Sequence, residues 1–153
     1  MITVSGGGFF YAPVTYMAAS GAVTVTAKAG LTYSDTDWAL VFRPADLGYR
    51  RYRWLELRAW VVSLYTHYRV QLGVGTGGGV TVWQPQEGMG VAGFCMDIPT
   101  TWYPSEPDNP NLVTPRVFSF PVEFTAGLYS IWARACNAGP TDETIEVHIS
   151  MWG

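Results

Sequence analysis

The sequence predicts an all-β chain, and three observations carry that prediction. The last third alternates apolar and polar residues with period two through successive runs: Phe118, Phe120, Val122 and Phe124; then Tyr129, Ile131, Ala133 and Ala135; then Ile145, Val147, Ile149 and Met151. Strict alternation puts successive side chains on opposite faces of a pleated strand, one face buried and the other wet. Shorter runs of the same kind recur upstream between glycine and proline punctuation, and no stretch carries convincing helical periodicity. Together they amount to about eight to ten strands, the pattern of an antiparallel sandwich or barrel.

Taken in order, residues 1–13 read as an N-terminal arm ahead of a single domain over 14–153. Gly6 to Gly8 lose too much conformational freedom to sit inside a strand. Phe9, Phe10 and Tyr11 need burial, on their own domain or on a neighbour. Residues 22–28 alternate Val23, Val25 and Ala27 inward with Thr24, Thr26 and Lys28 outward, bracketed by Gly21 and Gly30. Residues 37–43 place Trp38, Leu40 and Phe42 on one face, and Pro44, which cannot donate into a ladder, ends the run. Residues 49–62 carry Leu55, Leu57, Ala59 and Val61 inward and Trp54, Glu56, Arg58 and Trp60 outward. With Tyr68, Val70, Leu72 and Val74 beyond the turn at 63–67, this predicts a long hairpin. A helix over 52–64 is the alternative, against which the β-branched and aromatic residues weigh. Residues 75–83 form a glycine turn into a short strand; they lack the Lys and Ser/Thr of a phosphate loop, and no helix follows. Phe94, Met96 and Ile98 share a face of the next strand. Residues 99–115 hold five of the ten prolines and read as a stiff extended loop that docks through Trp102 and Tyr103.

Composition excludes several classes of function. Charged residues are 14% of the chain, against about 25% in an average globular protein, so something other than water is expected to cover part of the surface. Eight of the nine basic residues are arginine, the cation enriched at interfaces. A net charge of −3 with no basic stripe predicts no nucleic-acid partner. No segment reaches the roughly 18 apolar residues that span a bilayer, and the first residues lack the basic and apolar regions of a signal peptide. The expectation is synthesis and folding in a cytoplasm, with Cys95 and Cys136 as reduced strand residues.

Three places offer residues with catalytic or metal-binding chemistry, and none predicts a site. His148 and Ser150 share the outward face of the last strand, a spacing that chance supplies freely and that does not make a triad. Glu56 and Glu146 are outward carboxylates, but each sits near an arginine or a histidine, which predicts surface ion pairs. Asp35 and Asp37, Glu106 and Asp108, and Asp142 and Glu143 lie in acidic loops without the spacing of a calcium loop, and turn chemistry explains them. No metal and no cofactor is expected.

The outward face has more character. Trp54 and Trp60 flank Glu56 and Arg58; Trp132 sits beside Arg134; Trp152 follows His148 and Ser150. Large aromatics mixed with arginine match the composition of binding hot spots. Either this face meets another molecule, or a loop of the same chain, such as 99–115, buries it. The candidate interaction residues are Phe9, Phe10, Tyr11, Trp54, Arg58, Trp60, Trp102, Tyr103, Trp132, Arg134 and Trp152.

The run Phe124-Thr125-Ala126-Gly127-Leu128-Tyr129-Ser130-Ile131-Trp132-Ala133 resembles the penultimate-strand motif of jelly rolls of the tumour-necrosis-factor and complement-like group, and residues 144–152 are similar to their closing strand. The resemblance covers residues 117–152 and implies a jelly-roll-like β-sandwich. A small, cysteine-poor chain of this kind also looks like a bacteriophage virion accessory protein, which implies assembly rather than catalysis. The implied partners are further copies of the chain, with a trimer favoured, and other virion proteins, and the implied location is the virion. A carbohydrate-binding module, with sugars stacked on the outward aromatics, is the alternative.

Overall fold

A computed structural model of the chain describes residues 16–61, 67–83, 95–98 and 116–153. The arm residues Phe9, Phe10 and Tyr11, the turn at 62–66, and the proline-rich loop with Trp102 and Tyr103 lie outside the described residues. The described chain is all-β apart from single turns of helix. Its strands are β1 (Met17–Ala19), β2 (Val23–Lys28), β3 (Ala39–Phe42), β4 (Arg51–Trp60), β5 (Tyr68–Thr76), β6 (Gly79–Val82), β7 (Cys95–Ile98), β8 (Arg116–Thr125), β9 (Ser130–Asn137) and β10 (Glu143–Trp152).

All ten belong to one curled sheet in the order β6-β5-β9-β2-β10-β4-β8, with β7 added to β5, β3 to β9 and β1 to β10. Every pairing is antiparallel except β2 with β9, where Ala27 and Lys28 lie beside Ala135 and Cys136 in parallel. The long hairpin predicted for β4 and β5 does not form. Strand β4 lies between β10 and β8, and β5 pairs with β6, β7 and β9. Period-two patterning fixes which face of a strand is buried but not which strand lies alongside, and both apolar stripes serve the same core.

Strands β1 and β2 run along β10 as one strand with a bulge. Ala19 faces Ser150 and Val23 faces Val147, so residues 20–22 oppose only His148 and Ile149. Gly21 supplies the left-handed backbone at the bulge, with φ +67°. A second irregularity shapes β3. Leu40 pairs with Trp132 and Phe42 with Ile131, so Val41 is the extra residue. The face expected to hold Trp38, Leu40 and Phe42 is therefore broken: Val41 and Phe42 are both buried, Leu40 is 40% exposed, and Trp38 precedes the strand. Tyr129, expected to face inward, also precedes its strand and is 41% exposed.

A one-turn helix, α1 (Pro44–Leu47), follows β3 where no helix was expected. Pro44 presets the first helical residue. The Asp46 carboxylate accepts the Arg43 N–H at 2.8 Å and pairs with the Arg43 guanidinium, which holds it below the ordinary carboxylate range. Gly48, at φ +65°, closes the turn, and the Tyr52 hydroxyl donates to the Leu47 carbonyl at 2.6 Å.

The core fills the inner side of the curl. Leu55, Leu57 and Ala59 of β4, Ile145, Val147, Ile149 and Met151 of β10, Ile131, Ala133 and Ala135 of β9, and Tyr68, Val70 and Leu72 of β5 are all buried there, as their periodicity predicts. The two ends of the sheet meet through side chains. Trp83, just past β6, stands edge-on to Phe124 of β8 with ring centroids 5.3 Å apart, and its main-chain N–H donates to the Leu72 carbonyl. Cys95 on β7 and Cys136 on β9 lie on opposite sides of β5. Two strand spacings and a two-residue stagger along β5 put their Cα atoms roughly 12 Å apart, beyond the reach of a disulfide.

Candidate interaction face

The outward residues of β1, β10, β4 and β8 form four rows across the sheet. Register places Met17, Trp152, Trp54 and Pro121 in the first row, and Ala19, Ser150, Glu56 and Ser119 in the second. The third row holds His148, Arg58 and Val117, and the fourth holds Thr24, Glu146 and Trp60. None of these residues is buried. Met17 is 55% exposed and Trp54 43%, both high for such large apolar side chains. The face is thus an apolar row at one end, a charged middle and a single indole at the other end.

Its carboxylates are held by neighbours on the same strand. Glu56 Oε1 accepts from Arg58 Nε at 2.7 Å, and Glu146 Oε1 lies 2.7 Å from His148 Nε2. The His148 ring also packs on Trp60, with ring centroids 4.5 Å apart. These contacts run along a strand between residues two apart, as the surface-pair expectation requires. Glu56 and Glu146 stand four residues out of register, which separates their Cα atoms by about 14 Å.

The outward face of β5 and β9 behaves differently. Arg134 points outward as predicted but is only 9% exposed. Its guanidinium lies 4.3 Å from the Trp38 ring centroid and 4.9 Å from that of Tyr33. Its Nε donates to Gln71 Oε1 and its Nη1 to Asp35 Oδ1, both at 2.8 Å. The cover is the segment before β3, which buries Arg134. Trp132 is half-buried beside it, with Nε1 donating to Ser130 Oγ at 2.7 Å. Of the predicted interaction residues, Trp54, Arg58, Trp60 and Trp152 therefore share one open face, while Trp132 and Arg134 belong to a closed one.

Met17, Val117, Ser119 and Pro121 complete the open face without having been singled out. The alternation of β8 already marks Val117, Ser119 and Pro121 as outward, but three residues of β1 are too few to show a period. Among the described residues, no group of three or more His, Cys, Asp or Glu side chains could hold a metal. Asp142 is occupied by Lys28 Nζ at 2.8 Å and the Ala29 N–H at 2.9 Å, and Asp35 by Arg134. No protein-family model and no curated protein sequence matches the chain.

Proposed function

We propose that this chain is a non-enzymatic structural component of a virus particle, a capsid decoration or tail protein that seats on the particle through the outward face of β1, β10, β4 and β8. The observation that carries the contact is the row Met17, Trp152, Trp54 and Pro121, an apolar line left open on a sheet whose other outward face is covered by its own chain. Four strands about 4.8 Å apart and four rows about 6.8 Å apart span roughly 500 Å². Matched by an equal partner surface, that is about 1,000 Å² in total, the lower bound of a specific protein interface. Glu56 is paired with Arg58 and Glu146 with His148, so the middle of the face carries no uncompensated cation, which suits a packed protein neighbour better than a polyanion. The virion assignment extends the resemblance of residues 117–152 and the low charge of the chain.

Co-sedimentation with particles of the virus that encodes the chain tests this reading. Wild-type protein is expected to pellet with particles and Trp54→Glu to remain in the supernatant; wild-type protein that stays in the supernatant sinks it. One cluster favours a second reading, a sugar site: the Trp60 indole has Glu146, His148 and Arg58 around it. A panel of polysaccharides that leaves tryptophan emission unchanged removes that alternative.

A further inference from the structure

Strands β9 and β10 share β2 as a neighbour for only part of their length. Beyond it β9 takes up β3, β10 takes up β1, and β1 and β3 are not paired with each other. Between them lies a cleft of about 510 Å³ lined by Met17, Ala18, Ala19 and Ser20 on one wall and by Leu40, Val41, Phe42 and Arg43 on the other, with Asp46. The ladder shows which backbone groups face it. Gly153 N–H donates to the Tyr16 carbonyl and Ser20 N–H to the Ile149 carbonyl, so residues 16, 18 and 20 turn their main-chain groups towards β10. Hydrogen-bonded and non-bonded positions alternate in an antiparallel ladder, so Met17 and Ala19 turn their N–H and C=O groups away from β10, into the cleft. Met17 and Leu40, on the two walls, are exposed apolar side chains. Arg43 is taken up by Asp46, so the walls carry no free charge.

Among the described residues neither β1 nor β3 has a partner on the side of the cleft, and two such edges across a neutral gap make an acceptor for an extended peptide, which gains main-chain hydrogen bonds along β1 and packs against β3. We propose that the cleft between β1 and β3 accepts one added strand, and that its occupant is the N-terminal segment of a second copy of this chain. Residues 1–15 contain no charged side chain and open with the β-branched run Ile2-Thr3-Val4, separated by Gly6, Gly7 and Gly8 from the rest. Tyr16 fixes where that segment departs. Its hydroxyl donates to the Arg51 carbonyl, its ring stands edge-on to Tyr52 at 5.4 Å, and the Arg50 guanidinium lies 5.0 Å from its centroid. The chain before Tyr16 thus leaves at the end of the sheet where β4 begins. Twelve extended residues reach about 40 Å, enough to cross to a neighbour. Because donor and acceptor are different surfaces of identical copies, the links run head to tail and close into a ring or continue as a fibre.

Two substitutions separate donor from acceptor. Ala19→Pro removes an N–H that points into the cleft and keeps the β10 pairing; Thr3→Pro takes an N–H out of the donor run. Analytical ultracentrifugation of the full chain is expected to show a wild-type oligomer and at least about tenfold weaker association for each variant, the scale of one or two lost hydrogen bonds. An equimolar mixture of the two variants is expected to form heterodimers and nothing larger, since the donor of one fits the acceptor of the other and the remaining donor and acceptor are both disabled. A monomeric wild type overturns the proposal, as does a Thr3→Pro chain that associates normally or a mixture that stays apart. Should Ala19→Pro fail to fold, Thr3→Pro alone decides. Trp54→Glu leaves this association intact, so loss of particle binding and loss of self-association are separate failures.

Discussion

Two glycines on β5 make room for indoles on its outward face, and one of these, Trp38, covers Arg134. A Cβ on Gly73 would stand 2.7 Å from the six-membered ring of Trp38 and 2.6 Å from Val80 Cγ1, and one on Gly75 would meet Ser130 and Trp132. Gly73→Ala is therefore expected to push Trp38 off the Arg134 guanidinium and to cost about 1–3 kcal/mol, the usual scale of overpacking. Urea denaturation reads the loss, and a red shift of tryptophan emission reads the displaced indole; an unchanged midpoint and spectrum would refute the packing. That Arg134 points outward was legible from its place between Ala133 and Ala135. Its cover was not, because Tyr33, Asp35 and Trp38 approach it from a segment about a hundred residues away with no period of its own. Asp142 supports a pH prediction. The hydrogen bond from Lys28, followed by that from the Ala29 N–H, holds its carboxylate below the ordinary value of 3.8. A depressed folded-state value means the contribution is complete above pH 3.8 and disappears as pH falls through the lower, folded-state value. Thermal melts of wild type are expected to lose stability in that acid range. Asp142→Asn is expected to start lower at neutral pH and to show a weaker decline there.

At the scale of elements, bulges decide what the alternation cannot. The β1–β2 strand keeps both halves on β10 only because Gly21 takes a left-handed backbone, and a Cβ there would meet nothing within 4 Å. The cost of replacing it is then purely conformational. Gly21→Ala is expected to destabilise by about 1–2 kcal/mol, and Gly21→Asn by less, because asparagine tolerates that region. Differential scanning calorimetry should rank glycine above asparagine above alanine; equal melting points would mean that the bulge is not held. The same lesson explains β3. Its inserted Val41 turns Leu40 outward, and nothing in the string DWALVFR distinguishes a regular strand from a bulged one. The single turn α1 was hidden for a related reason. Four residues are shorter than any helical period, and only the local chemistry of Pro44, Asp46 and Gly48 marks it.

For the whole molecule, the core and the proposed docking surface lie on opposite sides of the same sheet. Phe124 closes the curl by packing on Trp83 and is buried, while Trp54 lies on the outward face of β4, the neighbouring strand, and is exposed. Truncating a buried phenylalanine typically costs about 3–5 kcal/mol, a large share of the stability of a domain this size. Substitution of an exposed residue away from such features stays within about 0.5 kcal/mol. Phe124→Ala is therefore expected to lower the unfolding midpoint sharply and, where the protein remains folded, to bind particles as wild type does. Trp54→Glu is expected to unfold at the wild-type midpoint and to lose particle binding. Urea melts followed by tryptophan emission, set beside co-sedimentation of the same two proteins, measure both quantities. If Trp54→Glu lowers stability and binding together, the indole is part of the fold's own packing, and the first row is not a docking surface. If both variants bind normally, the particle contact lies elsewhere on the chain.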